Sequence, residues 1–467
     1  MMSKTRIRST LGRLTSDRQD SQQKSAGQIT RRDALAGAVA GALGAAVGSK
    51  SAFAQSKGPL TIRIWSNDQV QQREWYQMRV KQFMEQNPNI KIDYQWFPFG
   101  DLGKKISVGF ATDTAPDGFV SGDWFMPVWL DKGLLAPLDV QQLGYSSIDA
   151  FKKDFSDAAV GGAVKDGKVY GFPTWFYGYL NYLNTQHFKD AGLDPVKDAP
   201  DTWEQFGEVA RRLTKKSGDT FVRQGAKFAM HAAQWTMIQL NPILLQCGGQ
   251  WFDANGKSTF NSAAGVKAMS IRASLAREFG AEDPADTIAT NPLPMMDWLK
   301  ERCSMFLTHP VPPGAIKSQN PQMASAQSYR PIQCPGVEPG KGYATAFGFN
   351  LVLNKQASAD KQEVLHAFYK FLMADPVACW KHTGPFTVGR KSGWVDDAEV
   401  AAFPDVGEII KAKDQGVPLP RTLVFNELAD AVHRSVQNIV LNKADIKTSL
   451  DEAAAEVDRA TATYKRG

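Results

Sequence analysis

The chain has 467 residues, of which 43% are hydrophobic and 22% are charged, and its formal net charge is +6. This length is enough for two hydrophobic cores, so we expect more than one domain. The charge does not indicate a nucleic-acid or membrane partner, because the whole excess lies in residues 1–54, which hold nine Lys or Arg and three Asp or Glu. The rest of the chain is neutral and has no apolar stretch of about 18 residues, so no transmembrane helix is predicted.

Residues 1–54 have the organisation of an export signal. Arg31-Arg32 precede an apolar stretch rich in Ala and Gly, and residues 51–54 fit an A-x-A cleavage site. Twin arginines after a long polar region are typical of a Tat signal. Ala34 stands where that pattern usually has a bulky apolar residue, so a Sec signal is the alternative. We predict cleavage after residue 54 and a soluble protein in the periplasm.

The chain after this segment begins with the pattern of a β-α-β unit. Residues 60–65 alternate between apolar and polar side chains, as a strand does, and residues 90–94 form a second strand. An apolar stripe between them predicts a crossover helix and a parallel sheet. Trp65 and Asn67 lie at the carboxyl end of the first strand, where open α/β sheets bind ligands. Both are candidate ligand contacts, and core packing is an equal alternative for Trp65.

A second strand end of this kind follows residues 118–122. The short strand leads directly into Asp123 and Trp124. An ionised carboxylate can accept two hydroxyl donors, and an indole ring offers a flat apolar face. We therefore interpret both residues as candidate ligand contacts. For Trp124 the alternative is packing under the next helix beside Trp129.

The most aromatic stretch of the chain lies in residues 166–193. Asp166-Gly167 is a two-residue turn signal and predicts a β-hairpin, and Pro173 then limits the following strand. A dense aromatic run comes next, interleaved with two asparagines: Trp175, Phe176, Tyr177, Tyr179, Asn181, Tyr182 and Asn184. Flat rings beside amide groups suit a ligand with apolar faces and a hydroxylated rim. A buried strand is an equal alternative on composition alone.

Three segments carry a resemblance to a known family: DGKVYGFP at residues 166–173, YLNTQHFKDAGL at residues 182–193, and DTWE at residues 201–204. In this order and spacing they resemble the central signature of the family-1 extracellular solute-binding proteins of ABC importers, the maltose-binding-protein-like group. Further segments along the chain, up to the last amphipathic helix, resemble the corresponding parts of that family. The resemblance therefore covers nearly all of the chain after the export signal.

This resemblance implies an α/β protein with a two-lobed periplasmic binding protein fold of type II, in which discontinuous lobes surround a hinge. Lobe I would contain residues 55–174 plus 344–386, and lobe II would contain residues 175–343 plus 387–467. The chain would cross between the lobes near Pro173, Ala344 and Pro385. No cofactor or metal is expected. The expected partners are a small carbohydrate ligand and the permease of an inner-membrane ABC transporter, and the expected state is a monomer.

The resemblance also implies ligand contacts. In the family, an acidic residue after the strand that follows a Pro-Asp pair hydrogen-bonds sugar hydroxyls, and Asp123 holds this position. A ligand-side loop would contain Trp235, a polar turn would contain His309, and the return crossing would contain Phe347. A surface position is an equal alternative for His309. The predicted ligand-binding residues are Trp65, Asn67, Asp123, Trp124, Trp175, Tyr177, Trp235, His309 and Phe347, and no catalytic or metal-binding residue is predicted.

Twelve tryptophans and the aromatic run favour a carbohydrate over an amino acid as the captured ligand, because sugar C–H faces pack on rings while hydroxyls need polar partners. A periplasmic carbohydrate-active hydrolase is the alternative, since a glycosidase pair of carboxylates has no sequence signature of its own. The chain contains no G-x-S-x-G, H-E-x-x-H or C-x-x-C motif, however. A binding protein of the same fold for a non-sugar solute is a further alternative. Cys247, Cys303, Cys334 and Cys379 allow three two-bridge pairings, and the sequence does not choose among them.

Overall fold

The computed structural model describes residues 58–464 with the exception of residues 69, 99–100, 231, 289–293, 312, 326, 385–388, 392 and 404–405. The predicted export signal and the predicted crossing at Pro385 lie outside the described residues. Within the described part of the chain, no helix is long and apolar enough to cross a membrane.

Strands and helices alternate along the first half of the described chain. They are β1 (Leu60–Asn67), α1 (Val70–Gln86), β2 (Ile90–Phe97), α2 (Leu102–Ala111), β3 (Gly118–Gly122), a 3₁₀ turn (Asp123–Phe125), α3 (Met126–Asp131), β4 (Leu135–Ala136), α4 (Ile148–Lys153), α5 (Asp157–Val160), β5 (Val164–Lys165), β6 (Lys168–Val169), β7 (Phe172–Gly178), β8 (Leu180–Asn184), α6 (Thr185–Asp190), α7 (Trp203–Leu213), β9 (Lys215–Ser217) and β10 (Thr220–Lys227).

The second half is mostly helical. Its elements are α8 (Ala233–Gln246), α9 (Ala263–Arg277), a 3₁₀ turn (Pro284–Thr287), α10 (Pro294–Leu299), β11 (Cys303–Thr308), α11 (Pro313–Gln319), a 3₁₀ turn (Pro321–Ala324), β12 (Tyr329–Ile332), β13 (Ala346–Asn354), α12 (Ala359–Leu372), α13 (Pro376–Thr383), α14 (Ala398–Ala401), α15 (Val406–Gln415), α16 (Phe425–Asn442) and α17 (Ile446–Tyr464).

Two separate sheets organise these elements, as expected for a two-lobed α/β protein. The first sheet has the order β2-β1-β3-β13-β4, with β7 also paired to β13, and the second has the order β12-β8-β11-β10-β9. The predicted β-α-β unit is confirmed, because β1 pairs in parallel with β2 on one side and with β3 on the other. The carboxyl ends of β1 and β3 therefore meet at one edge of the first sheet.

The chain passes from the first sheet to the second at Tyr179. Strand β7 is still paired with β13 at Gly178, and β8 begins its pairing with β11 at Leu180. This change of sheet comes after residue 174, where the lobe boundary was predicted. Glycine is required at 178 because a Cβ atom there would lie only 2.1 Å from the carbonyl oxygen of Ala412 in α15.

Local signals in the sequence led to the expected local structures. Asp166 and Gly167 have φ angles of 50° and 68°, as a tight hairpin turn requires, and β5 pairs with β6 across them. Thr202 and Gln205 have the three-residue spacing of a capping box and form both of its hydrogen bonds at the start of α7. All four cysteines are free, so none of the three two-bridge pairings is present in this structure.

Candidate ligand-binding site

A small cavity of about 40 Å³ lies at the carboxyl ends of β1 and β3. Its floor is apolar and is formed by side chains of α2, β3, α3 and β13, namely Leu102, Ile106, Val120, Trp129 and Phe349. Its polar lining comes from both parts of the fold: Asn67 and Lys104 belong to the first sheet and its helices, whereas Gln234 lies in α8 and Asn426 in α16. A ligand group with an apolar face and a polar edge would fit this arrangement.

Asn67 lines this cavity, as the prediction for a ligand contact requires. It is the last residue of β1, and its side chain is only 2% exposed. Neither its amide nitrogen nor its amide oxygen has a hydrogen-bond partner within the described part of the chain. A buried polar group without a partner costs about 1–3 kcal/mol. A ligand in the cavity that supplies both an acceptor and a donor would remove this cost.

A second small cavity of about 80 Å³ lies at the ends of β10 and β11 in the second sheet. Trp235, in the first turn of α8, is half-buried, and its ring stacks on that of Tyr179 with 6.3 Å between centroids and 25° between planes. Thr308 and His309 line the same cavity. Burial lowers the pKa of His309, and its Nδ1 lies 3.0 Å from the carbonyl oxygen of Pro310, so the ring is a neutral donor–acceptor group.

A continuous row of rings joins the two cavities. Trp124 lines the first cavity, and its ring centroid is 5.7 Å from that of Phe347. Phe347 is 4.9 Å from Tyr177, which in turn is 5.6 Å from His309 in the second cavity. Of the predicted ligand-binding residues, Asn67 and Trp124 line the first cavity and Trp235 and His309 line the second. Tyr177 and Phe347 are fully buried in the row of rings between them and line neither cavity.

Trp65 and Trp175 are not part of this group, and the prediction of a ligand contact is not supported for either. Trp65 packs in the core of the first sheet beside Phe119 and Met126. Trp175 is fully buried against α1, where its indole nitrogen donates to the hydroxyl of Tyr76 over 2.7 Å. For Trp65 the core-packing alternative therefore describes the structure, and for Trp175 the alternative of a buried strand does.

Asp123, the predicted hydroxyl acceptor, lines neither cavity. Its side chain is 1% exposed and accepts hydrogen bonds from the main-chain N–H of Gly348 at 3.3 Å and from Nη2 of Arg421 at 3.5 Å. The same arginine nitrogen donates to the carbonyl oxygen of Ala158. Burial raises the pKa of Asp123 to about 6, and the positive charge of Arg421 only partly opposes this effect. Its carboxylate is therefore engaged within the protein, and a role in ligand binding stays a prediction.

The raised pKa of Asp123 predicts a measurable pH dependence of stability. Because the folded state binds this proton more tightly than the unfolded chain, the stability contributed by Asp123 falls as the pH rises from about 4 to about 6 and is then constant. Asp123→Asn should remove this part of the pH dependence in urea denaturation curves recorded between pH 4 and pH 7. Asp219→Asn, at an exposed turn, should leave the profile unchanged. Parallel profiles for wild type and Asp123→Asn would contradict the expectation.

The sequence analysis did not predict several of the residues that line the two cavities. Tyr179 lies in the aromatic run and could have been selected there. Lys104, Gln234 and Asn426 carry no local signal, because only the packing of α2, α8 and α16 around one cavity brings them together.

Comparison with known proteins gives matches along most of the chain. A sequence model described as bacterial extracellular solute-binding protein matches residues 67–378. A putative binding protein of Brucella abortus (strain 2308) is 23% identical over 385 residues, which cover 81% of this chain and 87% of the relative. The lactose-binding protein of Rhizobium radiobacter is 25% identical over 293 residues, which cover 61% and 64% of the two chains.

Solved structures show the same fold. An ABC transporter solute-binding protein from Thermotoga lettingae, bound with α-D-tagatose, superimposes with a TM-score of 0.70 at 20% identity, over 85% of this chain and 99% of the other. At this level of identity the likeness establishes the two-lobed fold of such proteins for this chain.

Proposed function

The chain belongs to the bacterial extracellular solute-binding proteins, and from this premise we propose that it captures a carbohydrate, either an oligosaccharide or a related polyol, and delivers it to the permease of an ABC transporter. Two features of the cavities carry the proposal. The stacked rings of Trp235 and Tyr179 line one cavity, and the side-chain amides of Asn67, Gln234 and Asn426 line the other. Rings pack against sugar C–H faces, and amides pair with hydroxyls. The relative named for lactose and the solved structure that is bound with α-D-tagatose support the same class of ligand.

The protein in this proposal binds its ligand without chemical change. Glycosidases use two carboxyl groups about 5–10 Å apart on either side of the scissile bond. Among the described residues that line the two cavities there is no aspartate or glutamate. This lining favours a binding protein over the alternative of a carbohydrate-active hydrolase. The two lobes would correspond to the two sheets, with the first crossing at Tyr179, and the protein would act as a monomer.

A panel screen tests the proposal directly. Purified mature protein would be heated with neutral sugars, polyols, oligosaccharides, amino acids and short peptides, and hits would be titrated by calorimetry. We expect at least one carbohydrate to raise the melting temperature and to bind with 1:1 stoichiometry, while chromogenic glycosides are not hydrolysed. Stabilisation by amino acids or peptides alone would overturn the carbohydrate assignment, and release of a chromophore would favour the hydrolase.

Export to the periplasm through the Tat pathway is part of this proposal. If Arg31-Arg32 direct the chain to that pathway, replacing both residues by lysine should leave the precursor in the cytoplasm, as measured by cell fractionation and immunoblotting. The same replacement at Arg6 and Arg8, which lie in the polar region before the twin arginines, should not affect export. Normal export of the Arg31→Lys/Arg32→Lys variant would show that the signal is of the Sec type.

A further inference from the structure

We propose that the first cavity, next to Asn67, binds a carboxylate group, so that the ligand is an acidic carbohydrate such as a uronic acid or an oligosaccharide ending in one. This inference rests on the proposed function and narrows its ligand class. The juxtaposition that carries it is a buried, unpartnered amide beside two helix starts and one lysine, in a cavity whose described lining contains no acidic side chain.

The charges around the cavity favour an anion. Lys104 is the one charged residue among the described residues that line it, and its side chain lies exposed at the rim. The acidic residues adjacent in sequence to the lining are Asp68, Asp101, Asp123 and Glu427. None of them lines either cavity, and Asp68, Asp101 and Glu427 are exposed. Asp123 is buried and paired with Arg421, and Asp68 is paired with Arg73. A carboxylate in the cavity would therefore meet one lysine and no acidic side chain among the described residues that line it.

Two helices also direct their positive ends to this space. The first turn of α2 lines the cavity through Gly103 and Lys104, and the first turn of α16 does so through Asn426. These helices have 10 and 18 residues, and neither has a side chain that accepts a hydrogen bond at its N-cap position. The N-terminus of a helix carries a partial positive charge of about half a unit and favours a bound anion.

Asn67 supplies the independent evidence that a ligand group belongs here. Its side-chain NH₂ can donate to a carboxylate oxygen, and its amide oxygen can accept from a neighbouring sugar hydroxyl. One lysine and two helix ends balance a single negative charge better than the double charge of a phosphate ester, which favours a carboxylate over a phosphate.

The test compares acidic sugars with their neutral counterparts by calorimetric titration. The acidic probes are D-glucuronate, D-galacturonate and their short oligomers, and the neutral probes are glucose, galactose and lactose. We expect at least one acidic sugar to bind at least about tenfold more tightly than its neutral counterpart, the size of effect that one charged hydrogen bond supplies. This preference should decrease as sodium chloride is raised, because salt screens the exposed lysine.

Three variants make the test specific. Lys104→Gln should weaken binding of the acidic sugar about tenfold and leave any neutral sugar unaffected. Lys105→Gln is the matched control, because Lys105 is exposed on the same helix turn but lies over the ring of Phe97 and does not line the cavity. Asn67→Asp keeps the size of the side chain and adds a negative charge, so it should reduce binding of the acidic sugar far more than binding of a neutral one.

The outcomes separate the inference from the function on which it rests. Binding of neutral sugars with no preference for acidic ones would overturn the inference and leave the proposed function standing. Equal losses in Lys104→Gln and Lys105→Gln would also overturn it, and so would tighter binding of sugar phosphates or sulfates. If no carbohydrate binds and another solute does, the proposed function fails and the inference fails with it.

Discussion

Replacing Arg272 by methionine is expected to lower the free energy of unfolding by about 3–5 kcal/mol, the range seen when one partner of a buried ion pair is removed. The side chains of Arg272 and Glu282 are 2% and 0% exposed. Two hydrogen bonds of 2.7 and 3.1 Å join the guanidinium to the carboxylate. Burial raises the pKa of Glu282 even with the arginine in place. Without Arg272, the carboxylate would be left in the interior with no opposing charge.

Urea denaturation of the single and double variants at pH 7 checks this expectation. Arg272→Met combined with Glu282→Gln should recover most of the loss, because glutamine is neutral and can still accept the hydrogen bond from the main-chain N–H of Phe228. Arg211→Met removes an exposed ion pair with Glu208 and should change the unfolding free energy by less than about 1 kcal/mol. Equal effects of Arg272→Met and Arg211→Met would contradict the expectation.

This ion pair is connected to the ligand-binding site through the chain that follows β10. Glu282 accepts a hydrogen bond from Phe228, and the guanidinium of Arg272 lies 4.3 Å from the centre of the Phe228 ring. The next residue, Ala229, exchanges two hydrogen bonds with the side chain of Gln239 in α8. Buried polar groups therefore fix the segment between β10 and α8, and this segment positions Trp235 at its cavity.

Local sequence patterns predicted the parts of the fold that depend on neighbouring residues. The Asp166-Gly167 turn, the capping box at Thr202 and the first β-α-β unit each follow from a few adjacent positions, and all three are present. The same patterns could show that strands end near Asn67 and Asp123. They could not show which of these side chains turns into the cavity, because that depends on elements packed from elsewhere in the chain.

Asp123 illustrates this limit. Its partner Arg421 lies 298 residues further along the chain, so no local pattern indicates that the carboxylate is occupied. Trp175 likewise belongs to an aromatic run that suggests a ligand. Its indole N–H, however, donates a hydrogen bond to the hydroxyl of Tyr76, 99 residues earlier in the chain. Long-range packing decides which members of an aromatic run bind a ligand and which form the core.

Trp235→Ala is expected to have the largest effect on ligand binding among the predicted site residues. Tryptophans at the centre of an interface commonly contribute about 2 kcal/mol or more, which corresponds to about a 30-fold loss of affinity. Trp235 is half-buried and stacked on Tyr179, so its ring is held in place to pack against a sugar face. Calorimetric titration with the carbohydrate identified in the panel screen measures the loss.

Two further variants show whether the effect comes from the ring itself. Trp235→Phe keeps an aromatic face and should retain more of the affinity than Trp235→Ala. Trp96→Ala is a matched control, because Trp96 is also half-buried and stacked on a tyrosine, Tyr94, but lines neither cavity. It should leave the affinity unchanged while its effect on the melting temperature is similar to that of Trp235→Ala. Equal affinities for wild type and Trp235→Ala would remove the ring pair from the binding site and with it the main support for a sugar ligand.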